Sequence, residues 1–179
     1  MRRAALLLLL ATCAGACSPA SGATYTPSSV PETKTFPYVA EFMVHRCGTL
    51  DCHGSVYRNL RVYGDEGLRF STSDQPCVPA GTTGAEVEQD YLSIVGLEPE
   101  TMNAVVSDHG EDPQRLTLIA KPLGIEEHKG GTIFQVGDDA YTCMTSWLAG
   151  KTDTSACLGA MPAMICGEPA ASSFDGGAP

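Results

Sequence analysis

One short segment carries residues whose types and spacing could do chemistry: Cys47-Gly48-Thr49-Leu50-Asp51-Cys52-His53-Gly54. Two thiols and an imidazole are the set used to attach a c-type haem. The thiols add to the haem vinyl groups, and the His directly after the second Cys ligates iron. The second Cys and the His must be neighbours so that the ring reaches the iron from one face. The first Cys has only to reach the other vinyl. Here four residues separate the cysteines, two more than in the common motif, and a longer loop can bulge to absorb them. The bland alternative is a small disulfide loop between Cys47 and Cys52, in which His53 has no task.

An iron held by His53 has a second axial position. His128 is the first choice for it, because it lies in a glycine-flanked loop where backbone can approach a cofactor closely. Met161 and Met164 flank Pro162 inside the Cys157–Cys166 bracket and form the alternative, which would raise the reduction potential relative to two histidines. Met144 reads as core, and His45 and His109 as surface residues. Arg58, Arg61 and Arg69 follow the motif in a chain with few cations. Arginine forks match carboxylates, so one of them, Arg61 by choice, is assigned to a haem propionate. A solvated loop cation is the alternative for each.

The elements that must position these residues read as helices separated by long loops, an all-α pattern. A first helix is expected over Phe36 to Arg46, with Pro37 in its first turn and Phe36, Val39, Phe42, Met43 and Cys47 on one stripe. A second spans Gly84 to Val95, announced by the capping-box spacing of Thr83 and Glu86. A third, shorter one follows Pro99 and buries Met102, Val105 and Val106. Asp112-Pro113 starts a fourth, which carries Leu116, Ile119 and Ala120 and stops near Pro122. The last runs from Asp139 to Ala149, with Ala140, Tyr141, Met144, Trp147 and Leu148 inward and Gly150 as terminator. Leu60 to Tyr63 is the best extended segment.

The region from Lys121-Pro122-Leu123-Gly124-Ile125-Glu126-Glu127-His128-Lys129-Gly130-Gly131 through Tyr141 and Trp147-Leu148-Ala149-Gly150 resembles the cytochrome c-like domains of planctomycete and myxobacterial envelope proteins. Those domains share a C-terminal pattern of His, glycines, then Tyr and Trp-hydrophobic-x-Gly. The resemblance covers about residues 36–150. The wide cysteine spacing departs from the commoner family form and is similar to that in some multihaem cytochromes of sulfate reducers. The resemblance implies a small cytochrome c-like domain over 35–150, packing of the terminal helices against each other, covalent haem c with its iron, and His128 as axial ligand.

The N-terminus sets the compartment. Met1-Arg2-Arg3, an apolar run to Ala11 and small residues before Cys17 make a signal peptide, too short to span a bilayer. Ala14-Gly15-Ala16-Cys17 resembles a lipobox, with Cys13 as the second candidate. Residues 1–16 are therefore expected to be cleaved and Cys17 lipidated, which places the chain on a membrane of the bacterial cell envelope. An ordinary secretory signal is the alternative. Residues 17–34, rich in Ser, Pro and Thr, read as a disordered tether, and 170–179 as a disordered tail.

Net charge is −10 before Arg2 and Arg3 are removed, which excludes nucleic acid as a partner. Six cysteines lie beyond Cys17, in a compartment where free thiols do not persist. Three disulfides are one solution. The other gives Cys47 and Cys52 to haem and pairs Cys77 with Cys143 and Cys157 with Cys166, the latter pair stapling a C-terminal extension over 151–169. No nucleophile elbow, HExxH or P-loop is present, so an electron carrier serving a redox partner protein is expected rather than an enzyme. The competing expectation is a haem-free, disulfide-stabilised envelope lipoprotein that binds or supports a partner.

Overall fold

A computed structural model describes residues 29–70 and 81–161. The described chain is all-α and disulfide-stabilised. Its helices are α1 (Phe36–Cys47), α2 (Gly84–Val95), α3 (Pro99–Ser107), a 3-10 turn (Pro113–Arg115), α4 (Thr117–Ala120), α5 (Asp139–Leu148) and α6 (Thr154–Gly159). Pairing between extended segments is limited to isolated bridges, Thr49 with Gly67 and Tyr63 with Leu68, among the described residues.

The core forms where α1 packs against α2, α5 and α6. Phe36, Val39, Phe42 and Val44 of α1 are buried, with Met144, Trp147 and Leu148 of α5 behind them. The Phe36 ring lies 5.1 Å from Trp147 and 5.2 Å from Tyr91 of α2, centroid to centroid. Such an aromatic cluster adds edge-to-face attraction to the area it buries. Two polar tips of that cluster hold the entering chain. Trp147 Nε1 donates to the Glu32 carbonyl at 2.9 Å, and Tyr91 Oη to the Pro31 carbonyl at 2.7 Å. Within the tether expected over 17–34, Pro31 and Glu32 are therefore held against the helical core. No described helix is long and apolar enough to cross a membrane.

Three local outcomes differ from the sequence reading, each for a tertiary reason. The fourth helix is interrupted at Leu116, whose backbone is extended. There the Glu98 carboxylate accepts from both the N–H and the hydroxyl of Thr117, at 2.7 and 2.6 Å, and caps α4 anew. Helix α6 was not expected; Asp153 starts it by accepting from Ala156 N at 3.0 Å. Among the described residues Cys143 is bonded to Cys157, not to Cys77, and Cys157 is not bonded to Cys166. Cys143 sits on the inward face of α5 and Cys157 on α6, with Cα atoms 4.6 Å apart, within the range a bridge needs. Cys77 and Cys166 lie outside the described residues, as do Cys13, Cys17 and Met164.

Beside α1 the interior is polar. Glu86 does double duty: it completes the capping box with Thr83 and meets Arg69 in a buried two-point ion pair at 2.7 and 3.1 Å. Asp90 is fully buried and accepts from Tyr63 N at 2.7 Å. Burial, reinforced by the charges of Glu86 and Glu41, pushes its carboxyl up to about 8 against the pull of that N–H. The folded chain thus keeps a proton that the unfolded chain releases above about pH 4. That contribution to stability is complete in acid and disappears as pH rises through 8. Asp90→Asn, which keeps the acceptor for Tyr63, is expected to match the wild type near pH 4. It should become the more stable protein by pH 8, by on the order of a few kcal/mol. Denaturant midpoints at both pH values check this, and parallel profiles would contradict it.

Candidate functional site

The motif loop is built from the end of α1. Cys47 is the last helical residue, and Gly48 N closes the helix on the Val44 carbonyl at 2.8 Å. A turn then takes up the extra residues: Cys52 N and Gly54 N both bond the Thr49 carbonyl, at 2.9 and 3.0 Å. His53 N reaches back to the Cys47 carbonyl at 2.9 Å, so the wide spacing folds both cysteines and the His into one knot. Gly54 is required there, because a Cβ on it would stand 1.8 Å from the Gly48 carbonyl oxygen. Arg58 fastens the outside of the turn through Nε to Cys52 O and Nη2 to Asp51 O, both at 2.9 Å.

Both motif cysteines are free thiols, while Cys143 and Cys157 are bonded. Burial pushes the Cys47 thiol up to about 12, which keeps it protonated and slow in disulfide exchange.

The imidazoles of His53 and His128 are neighbours. Their centroids are 6.1 Å apart and their planes 23° from parallel. His53 Nδ1–H donates to the Leu60 carbonyl at 3.1 Å, and His128 Nδ1–H to the Gly131 carbonyl at 3.1 Å. A carbonyl only accepts, so each ring carries a proton on Nδ1, and a neutral ring then has its lone pair on Nε2. Burial lowers the pKa of His53, offset in part by the Leu60 bond, and the charges of His128 and Lys121 lower it further. Neutral imidazole is the form that binds metal.

What carries His128 to this place was not read from the sequence. Arg46, adjacent to Cys47, donates through Nη2 to the Ile133 carbonyl at 2.7 Å and ties the His128 loop to the end of α1. Ile133 N in turn bonds the Pro122 carbonyl at 2.8 Å, closing the loop at its base. Gly130 supports the ring itself, since a Cβ there would lie 3.1 Å from His128 Cε1. A basic residue in the last turn of α1, next to the motif, was the available signal for Arg46.

Exposed apolar side chains occur in both segments: Leu50, Val56 and Tyr57 in and after the motif, and Ile125 just before His128.

The arginines separate. Arg69 is committed to Glu86 and Arg58 to the motif carbonyls, so neither is placed for a propionate. Arg61 is exposed, and its Nε donates to the Arg58 carbonyl at 3.2 Å. It borders a cleft of about 660 Å³ against Gln89, Leu92 and Ser93 of α2. Met144 is buried core and Met161 half-buried. His109 is exposed, as expected. His45 is not a surface residue: it is buried, with both ring nitrogens facing carboxylates. Comparison with models of protein families, with curated proteins and with solved structures finds no match for this chain.

Proposed function

We propose that this chain is a monohaem c-type cytochrome, anchored by a lipid on Cys17 and passing single electrons to a partner protein in the bacterial cell envelope. The observation that carries the reading is the His53–His128 pair. Two imidazoles that share one iron, each bonded through nitrogen at about 2 Å, have centroids roughly 6 Å apart. The observed separation is 6.1 Å, with each Nδ1 already turned to a carbonyl. That second hydrogen bond is how proteins orient a ligating His and fix its tautomer.

When bound, the haem supplies a one-electron iron couple, and the protein sets its potential and access. Cys47 and Cys52 would hold the haem through thioether bonds, and His53 and His128 would ligate its iron, His128 being positioned by Arg46, Gly130 and Gly131. Arg61, exposed beyond the motif, is the remaining arginine for a propionate. The unbonded state of Cys47 and Cys52 favours this reading over the haem-free one, which uses them as a bridge. The packing of α1 against α5 and α6 agrees with the terminal-helix contact implied by the resemblance to cytochrome c-like domains.

Expression with a haem-attachment system tests the proposal. The expected product is red, holds one haem per chain and shows a low-spin spectrum with no thioether charge-transfer band. A colourless product would overturn it. The anchor has its own test. Labelled fatty acid is expected to enter the wild type and Cys13→Ala, and to be absent from Cys17→Ala; label that depends on Cys13 would move the lipid site.

A further inference from the structure

A second cluster of ligating groups joins α1 to the turn that follows the motif. Glu41 and His45 are one turn apart on α1 and share a face. The turn Gly64-Asp65-Glu66-Gly67 is pressed against that face. A Cβ on Gly64 would strike the Val44 side chain at 2.5 Å, and one on Gly67 the Gly48 carbonyl at 2.1 Å. The turn is closed by Gly64 N to Leu68 O at 2.9 Å.

One ligand atom from each of Glu41, His45 and Asp65 falls within 4.8 Å of the others. His45 Nε2 meets Glu41 Oε1 at 3.1 Å, and Nδ1 meets Glu66 Oε1 at 3.2 Å. Asp65 is 6 % exposed, and its Oδ1 is buried without a hydrogen-bond partner among the described residues. Three carboxylates therefore surround one imidazole. Arg69, which follows the turn, is taken by Glu86. A protonated His45 answers only one of the carboxylate charges, so the orphaned Asp65 oxygen costs stability unless a further cation answers it.

We propose that Glu41, His45 and Asp65 form a site for a single first-row divalent metal ion, with Glu66 holding the imidazole from behind. His45 Nε2 and one oxygen each from Glu41 and Asp65 are the ligands. Glu66 accepts from Nδ1–H, the carboxylate–histidine–metal arrangement that fixes a ligating ring. Ligand atoms about 2 Å from a shared tetrahedral ion lie roughly 3.3 Å apart, so a contraction of up to about 1.5 Å closes the set. Imidazole with carboxylates suits zinc, iron or manganese, whereas calcium takes oxygen ligands throughout. Three protein ligands leave a coordination position for water.

The test uses Zn²⁺ as probe on the full chain after chelator treatment, by equilibrium dialysis and thermal unfolding at neutral pH. The expected result is one saturable equivalent of zinc and a raised unfolding temperature. Glu66→Gln is expected to weaken binding by roughly 10–100-fold, and Asp65→Asn and Glu41→Gln more strongly. His128→Ala, which removes the other metal-competent pair, is expected to leave binding intact. No saturable binding overturns the site, as does zinc that survives Asp65→Asn and Glu41→Gln or is lost in His128→Ala. Tighter binding of Ca²⁺ than of Zn²⁺ would overturn the assigned metal class.

Discussion

His128→Ala is expected to yield a protein that keeps its haem through a denaturing gel and loses its low-spin spectrum. The proposed attachments and the proposed ligand His53 all belong to the knot of residues 47–53, whose hydrogen bonds are local. His128 arrives on a separate loop, through Arg46 and the Pro122 carbonyl. Its removal therefore opens the sixth position and leaves maturation intact. The oxidised variant should turn high-spin, bind cyanide or added imidazole, and shift in potential. His53→Ala is expected to behave differently and fail to accumulate stable holoprotein. Gly130→Ala should fall between wild type and His128→Ala, because its Cβ would crowd His128 Cε1 at 3.1 Å. Absorption spectra of the three variants check this. An unchanged spectrum in His128→Ala, or a thioether band in the wild type, would move the ligand to Met161 or Met164.

Removing the Cys143–Cys157 bridge is expected to cost roughly 3 kcal/mol, the loop-closure value for a loop of about 15 residues. The bridge closes a separation of 14 residues between α5 and α6. Helix α6 spans six residues, too few to persist without tertiary support, and Cys157 and Ala156 are its buried members. The double variant Cys143→Ala, Cys157→Ala avoids leaving a buried hydroxyl and isolates the link. Urea unfolding of the variant and of wild type checks the magnitude. A loss below about 0.5 kcal/mol, within the range of neutral surface changes, would contradict the bridge's role. Peptide mapping that joins Cys143 to Cys77 would contradict its existence.

The parts of the chain that were legible in sequence are those set by local rules. Helix α2 begins and ends where the Thr83–Glu86 capping box and the apolar stripe place it. The Cys-His motif is likewise local, and His128 stood out because glycines flank it. The parts that were not legible depend on contacts distant in sequence. Glu98 breaks the fourth helix from 19 positions away. Glu86 was visible as a cap, but its claim on Arg69 depends on the path of the loop between them. Cys143 and Cys157 pair because two helices pack, and proximity along the chain pointed instead to Cys157 and Cys166. His45 reads as polar, and so as exposed, until the Asp65-Glu66 turn is folded over it.

The most direct measurement of the central claim is the mass of the peptide that contains residues 47–53, taken from protein matured with a haem-attachment system. This peptide is expected to carry one haem, joined through Cys47 and Cys52, and Cys47→Ser with Cys52→Ser to leave a haem-free chain. A peptide of bare sequence mass with Cys47 bonded to Cys52 would contradict it.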